Sequence, residues 1–161
     1  MTRPPAAAGE VTVRRGVDAA GYAPVRDLVV AHARHERSDA AVAADWAEGA
    51  ARLIAAGRLD LFVAEVEGEA VGYASVTTDV ATWTAAPYAH LDCLFVAERW
   101  RDLGVGRLLV GAVVDHVRTR GLGELQWQTP AWNEDAIRFY RRLGAQGRRK
   151  ERFTLALAPG G

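Results

Sequence analysis

The chain has 161 residues, half of them hydrophobic, which is enough for one domain with a sizeable core. Its formal net charge is zero, so no global field is expected to attract nucleic acid or a membrane surface. The single cysteine excludes an internal disulfide, and no metal site is predicted. The sequence shows no secretory segment and no membrane-spanning run, so a cytoplasmic protein is expected.

The first half of the chain predicts two helices between a first strand and a hairpin. Alternating apolar and charged residues, after a flexible tail over 1–10, predict the first strand at 11–15. Asp18 is a plausible N-cap for the first helix. The predicted elements that follow are a helix through Ala33, a second helix over 42–56 that ends at Gly57, and strands at 61–67 and 71–78 joined at Gly68.

The second half alternates strands and helices. A loop at 83–87 leads to a largely apolar strand at 88–96, and an apolar stripe with a four-residue spacing predicts a helix over 104–120. A strand at 124–129, a helix from the Asn133 cap to Leu143, and a strand at 152–158 complete the pattern. The order predicts a single α/β domain over 11–158, with a mixed central sheet of about six to seven strands, about four helices and a tail at 159–161.

A glycine-rich turn lies between the strand at 88–96 and the helix that follows it. The turn reads Arg101-x-x-Gly104-x-Gly106, which brings backbone N–H groups and a helix N-terminus to one place. Such an arrangement binds phosphate groups, although an ordinary glycine turn would have the same spacing. The spacing differs from the G-x-G-x-x-G pattern of nicotinamide sites.

The glycine-rich turn and a second segment at 132–145 together resemble the motifs of the GNAT N-acetyltransferase superfamily. The cofactor of that superfamily is acetyl-CoA. The resemblance implies that Leu94, Phe95 and Val96 pair by backbone with the pantetheine arm. It places the pyrophosphate at Arg101, Asp102, Leu103, Gly104, Val105, Gly106 and Arg107. It also implies that Asn133 and Ala136 line the cofactor, that Tyr140 protonates the departing thiolate, and that the protein is a homodimer.

A narrower resemblance is to the spermidine/spermine (diamine) acetyltransferase branch, through residues 90–96, 132–134 and 139–140. The residues implied for amine binding are Glu36, His35, Trp83, His90 and Asp92. One position departs from that branch, because Cys93 stands where a second adjacent acid is usual. The loss of that carboxylate weakens the case for a polyamine.

The base that deprotonates the amine is left open by the residues. Asp92 is the first candidate, directly or through ordered water, with His90 and His35 as alternatives. Strand alternation places Cys93 on the opposite face from Asp92, which predicts a buried, inert thiol. The two remaining histidines, His32 and His116, are interpreted as helix-face residues without a role.

The predicted function is acetyl-CoA-dependent N-acetylation of a primary amine on a small molecule, by direct transfer in a ternary complex. Polyamine-like amines, aminoglycosides and other amine-bearing metabolites or antibiotics all remain open. The alternatives are a protein lysine or N-terminal acetyltransferase, and a CoA-binding regulator without turnover.

Overall fold

The structure, a computed structural model, describes residues 9–16, 19–38 and 41–157. The chain divides into two compact units, Met1–Gln128 and Thr129–Gly161. The helices of the first unit are α1 (Ala19–Tyr22), α2 (Arg26–His35), α3 (Trp46–Ala55) and α4 (Val105–Thr119). Its strands are β1 (Val11–Arg15), β2 (Asp60–Val66), β3 (Glu69–Ala81), β4 (Ala86–Val96) and β5 (Leu125–Gln126). The second unit contains α5 (Glu134–Arg142).

The strands form one mixed sheet in the order β1-β2-β3-β4-β5. Strands β1 to β4 pair with one another in antiparallel fashion. Strand β5 is parallel to β4, after the helical crossover through α4. The predicted α/β fold class is therefore confirmed. The described residues form five strands where six to seven were expected.

Helices cover both faces of the sheet. The α4-side core contains the α4 stripe that the sequence predicted, packed on one face of the strands; its helical members are Val105, Leu109, Val113 and Val117. The α2-side core lies on the other face, where Tyr22, Val25 and Leu28 meet Tyr73 and Phe95. Both cores are apolar, so burial of these two faces is the main force that holds the strands in place.

The predicted hairpin forms between β2 and β3. Glu67 and Gly68 both have positive φ angles, 51° and 82°, as in the tight turns that match the twist of a two-residue hairpin. Farther along, Ser75 pairs with Cys93 but Val76 pairs with Leu91, so Asp92 is an extra residue in β4. This β-bulge interrupts the alternation of β4 at its centre.

Three predicted elements are interrupted or shorter in the structure. The predicted first helix is interrupted by a 3-10 helix at Ala23–Val25, because Pro24 lacks the N–H that a continuous α-helix needs. The N-cap predicted for that first helix, Asp18, lies outside the described residues. The helix expected from residue 42 begins at Trp46, and the strand expected at 124–129 is only β5.

The last predicted strand, at 152–158, is wrong for the residues described there. Residues 152–157 form no strand, and Phe153, Leu155 and Leu157 are more than four-fifths exposed. The alternating pattern shows which face of a strand would be buried, but a strand also needs a neighbour to which its backbone can bond.

Candidate active site

The C-terminal half of β4 has an edge that β5 does not pair. The two parallel strands pair only at Ala89 and His90, although β4 continues to Val96. On its other edge β4 remains paired with β3, where Tyr73 faces Phe95 and Gly72 faces Val96. Within the sheet, β4 therefore has an edge with backbone donors and acceptors available to an extended ligand.

The same strand leads into the glycine turn. Gly104 immediately precedes α4 and has a φ of 85°, and Asp102 has a φ of 60°. These left-handed conformations bend the chain so that the first N–H groups of α4, which have no helical acceptor, point away from the helix. The positive end of the helix dipole adds to the attraction for an anion at this place.

Arg101 connects the turn to the strand. Its Nε donates to the Val96 carbonyl at 3.0 Å, and its guanidinium lies 5.4 Å from the centre of the Phe95 ring. The side chain therefore fixes the turn against the end of β4. This contact gives Arg101 a structural role beside the predicted one at the pyrophosphate.

The side chains of the three β4 residues predicted at pantetheine are directed into the two cores. Phe95 is 6% exposed in the α2-side core, while Leu94 and Val96 pack against the α4-side core. Their backbone is left as the part that can contact a ligand, and the pairing with the pantetheine arm stays a prediction.

The bulge corrects the expected orientation of Cys93. Leu91 and Leu94 both pack against the α4-side core, so the two residues between them lie on the same side of β4. The Cys93 Sγ lies 3.7 Å from Asp92 Oδ2. The prediction that Cys93 lies on the face opposite Asp92 is therefore wrong, because an extra residue reverses the alternation.

Asp92 and Cys93 line a cavity of about 420 Å³ on the α2 side of the sheet. Its apolar lining comes from Val29, Trp46, Leu53, Leu59 and Leu61. Its polar lining comes from Arg58, Tyr73, Ser75, Thr77, Thr78, Asp79, Asp92 and Cys93. A concave site in which apolar side chains and convergent polar groups meet is typical of a small-molecule site. Its two carboxylates outnumber the one guanidinium, that of Arg58, which favours a cation.

A buried histidine adjoins this cavity. It is His32, which was interpreted from the sequence as a helix-face residue without a role. His32 is 8% exposed, its Nδ1 lies 2.8 Å from the Tyr73 hydroxyl, and its Nε2 lies 3.3 Å from Glu36 Oε1. The ring stacks on Phe95 at 5.1 Å. The four-residue spacing of His32 and Glu36 was the one sequence signal of this network. Tyr73 and Phe95 come from two separate strands, which the spacing could not show.

The environment of the network shifts three pKa values. Burial lowers the pKa of His32, although the Glu36 carboxylate opposes the shift. Burial, followed by the charge of Asp92, raises the pKa of the Cys93 thiol to about 11. Burial also raises the pKa of Tyr73. At neutral pH these shifts favour a neutral imidazole, a thiol and a phenol.

The other residues predicted for amine binding are dispersed. His90 Nδ1 lies 3.6 Å from Asp79 Oδ2, at the edge of the cavity. His35 lies against Phe95, with ring centres 6.2 Å apart. Trp83 is fully exposed in the turn between β3 and β4, and does not line the cavity. The cavity contains instead Trp46, a residue that the sequence interpretation did not select.

The second unit positions the other motif residues on α5. The Asn133 side chain accepts a hydrogen bond from the Ala136 N–H at 3.2 Å, which confirms the predicted cap and leaves its amide NH₂ group to contact a ligand. Tyr140 lies one turn farther along α5, with its ring 5.3 Å from that of Phe139.

Two further properties concern the described residues alone. No group of three or more His, Cys, Asp or Glu side chains among them is arranged to hold a metal ion. Within the same ranges, every helix is too short or too polar to cross a membrane.

Comparison with known families identifies the class. The model of the acetyltransferase (GNAT) family matches residues 23–145. The chain therefore belongs to the GNAT family, whose members are acyltransferases with acetyl-CoA as the acyl donor. The β4 edge and the glycine turn fit this donor, since they present backbone groups to an extended chain and N–H groups to a pyrophosphate.

Curated relatives match the chain in part. The L-ornithine N5-acetyltransferase of Arabidopsis thaliana is 37% identical over 57 residues, which are 35% of this chain and 25% of that protein. The thialysine N-epsilon-acetyltransferase of Caenorhabditis elegans is 28% identical over 79 residues, 49% of each chain. The matched part of the chain thus spans a quarter to a half of these relatives.

The solved structures show the fold. An aminoglycoside acetyltransferase from an uncultured soil metagenomic sample has a TM-score of 0.78 and 20% identity, over 92% of this chain and 97% of that one. An aminoglycoside N-acetyltransferase in complex with CoA has a TM-score of 0.76 and 21% identity, over 97% and 100%. At such identities the likeness extends to the fold alone.

Proposed function

We propose that the chain is an acetyl-CoA-dependent N-acetyltransferase of small-molecule primary amines. The observation that carries the proposal is the continuity of the unpaired β4 edge, the glycine turn and the N-terminus of α4. A bound acetyl-CoA supplies the acetyl thioester at this place. Leu94, Phe95 and Val96 would bind its pantetheine arm by backbone, and residues 101–107 would bind its pyrophosphate.

The cavity on the α2 side is the proposed amine site. Its 420 Å³ matches a small molecule better than a folded protein surface. Asp79 and Asp92 would attract an ammonium group, and the ring of Trp46 would add a cation–π contact. Relatives named for ornithine and thialysine, both amino acids with a side-chain amine, support a compact cationic acceptor.

Direct transfer needs a base for the amine and an acid for the leaving thiolate. Asp92 is the proposed base, directly or through ordered water, because it lies at the bulge where the cavity meets the strand. Tyr140 on α5 is the proposed acid, since a phenol carries its proton at neutral pH. Asn133 and Ala136 are proposed to contact the cofactor.

The test measures thiol release from acetyl-CoA with a panel of amines that includes ornithine-like amino acids, polyamines, aminoglycosides and peptides with a free N-terminus. We expect Tyr140→Phe to lower kcat about tenfold or more, with Tyr88→Phe as the tyrosine control. We expect Asp92→Asn to raise the KM of the amine and to alter the pH–rate profile, with Asp115→Asn as the control.

The alternatives have distinct outcomes in the same assay. Turnover of peptides alone would indicate a protein acetyltransferase. Tight binding of acetyl-CoA without turnover of any amine would indicate a regulator, and the proposed function would fail. The homodimer remains a prediction, and light scattering of the purified protein would measure it.

A further inference from the structure

We propose that Tyr73, His32 and Glu36 form a proton relay that carries the proton lost by the amine from the cavity to the surface of α2. This inference rests on the proposed function. It is carried by a hydrogen-bonded line of side chains that begins in the cavity wall and ends at a carboxylate that is 39% exposed. The relay residues act through one another, so His32 and Glu36 are positioning residues.

The bonding of His32 determines which nitrogen carries the proton. An ionised Glu36 is an acceptor only, so the Nε2 that faces it at 3.3 Å donates. In the neutral ring Nδ1 then has a lone pair, which accepts from the Tyr73 hydroxyl at 2.8 Å. The ring is therefore prepared to receive a proton at Nδ1 and to release one from Nε2.

The surroundings keep this ring neutral. Burial against Phe95 lowers the pKa of His32, and the Glu36 carboxylate prevents a larger shift. The groups that face His32 from every element packed against it are His35 on α2 and Glu36 at its C-terminal cap, Tyr73 on β3, and Asp92 and Phe95 on β4. A relay needs a neutral imidazole as its resting form, because a doubly protonated ring has no site for an incoming proton.

The proton transfers balance in the following sequence. The ammonium loses one proton at the cavity floor, where Asp92 or an ordered water receives it and passes it to Tyr73 Oη. Tyr73 gives its own hydroxyl proton to His32 Nδ1, and His32 gives its Nε2 proton to Glu36. Glu36 releases that proton to water, so one proton leaves the amine and one enters the solvent. His32 is then the Nδ1–H tautomer and returns to the Nε2–H form by proton exchange, with no net gain or loss, before the next turnover.

The position of Asp92 explains why a proton would leave through the relay. Asp92 lines the cavity and is exposed to solvent in the free protein, so the relay is used once a bound amine covers this carboxylate. Glu36 lies at the end of α2 and connects to the cavity only through His32 and Tyr73 in this network. An apolar residue at position 32 would pack in the same core without the cost of burying a polar ring.

The experiment compares His32→Asn, Tyr73→Phe and wild type in the amine acetylation assay. Asparagine still accepts a hydrogen bond from Tyr73 but cannot take up its proton. We expect both variants to lower kcat about tenfold or more with the KM of the amine within about twofold. We also expect the fall of wild-type kcat at low pH to be weaker in His32→Asn, because protonation of His32 no longer contributes to it.

The control is His116→Asn, on the α4 side of the sheet. His116 is also poorly exposed, and its Nε2 lies 2.9 Å from Asp60 Oδ2, so the substitution removes a comparable contact between a histidine and a carboxylate. Melting temperatures would separate a folding defect from a loss of transfer. Wild-type kcat and an unchanged pH profile in His32→Asn would overturn the relay.

A second measurement does not depend on turnover. Nitrogen-15 NMR of the wild type reports the tautomer of His32, and the Nε2–H form is expected with a shift of its Nδ1 signal in Tyr73→Phe. The Nδ1–H form would overturn the proposal even if the enzyme is active. If the wild type acetylates no amine, the proposed function fails, and the tautomer alone then decides whether this arrangement exists.

Discussion

Replacement of Gly104 by alanine tests the phosphate-binding turn. Gly104 has a φ of 85°, and the position of an added Cβ has no other atom within 4 Å, so the change is unfavourable through backbone strain and not through a clash. A left-handed conformation costs an L-residue about 1–2 kcal/mol, and the reduced freedom of the unfolded chain offsets about 0.4–1 kcal/mol of it. We expect a net loss of about 1 kcal/mol in the free energy of unfolding.

The effect on binding should exceed the effect on stability. Relief of the strain rotates the first N–H groups of α4, and the loss of one charge-assisted hydrogen bond to a phosphate is worth about 1.5 kcal/mol, or roughly tenfold in Kd. Isothermal titration with CoA measures this change, and the KM of acetyl-CoA should rise in parallel while the KM of the amine stays the same.

Gly121→Ala is the matched control. Gly121 has a φ of 70° and also has open space around its Cβ position, but it lies beyond the C-terminal end of α4. Both variants should lose similar stability in urea unfolding, and only Gly104→Ala should bind CoA more weakly. Equal Kd values for the two variants would refute the assignment of the turn to the pyrophosphate.

Three further predictions concern the cavity and the sheet. The pKa of Cys93 is raised to about 11, so alkylation of this thiol by iodoacetamide at pH 8 should be roughly a hundredfold slower than alkylation of glutathione. The alkylation rate should rise about tenfold per pH unit up to pH 10, and a plateau of the rate below pH 9 would contradict this. Gly72→Ala should destabilise the fold by about 1–3 kcal/mol in urea unfolding, because the added Cβ would lie 2.9 Å from the Phe95 carbonyl oxygen. Gly111→Ala is the control: its Cβ would have open space inside α4, so this variant should be more stable than the wild type. Trp46→Leu should raise the KM of the amine about fivefold in steady-state assays and leave the KM of acetyl-CoA unchanged, if the ring contributes a cation–π contact.

The sequence by itself determined the features that depend on neighbouring residues. The apolar residues of α4 recur at the period of an α-helix, which is readable from the sequence. The cap of α5 is a hydrogen bond between Asn133 and Ala136, which are three residues apart. The glycine turn is likewise local, because the left-handed conformation of Gly104 is a property of that residue and its place before a helix. These segments carried the family resemblance, and the family is confirmed.

Only the tertiary structure decided the features that depend on pairing between distant strands and helices. The bulge at Asp92 arises from the register between β3 and β4, and it moved Cys93 to the side on which Asp92 lies. His32 meets Tyr73 and Phe95 through packing of α2 on the sheet, and an apolar pattern cannot specify such contacts for a single polar residue. Residues 152–157 show the same limit in reverse: their alternation was clear, but a strand forms only where another backbone completes its hydrogen bonds.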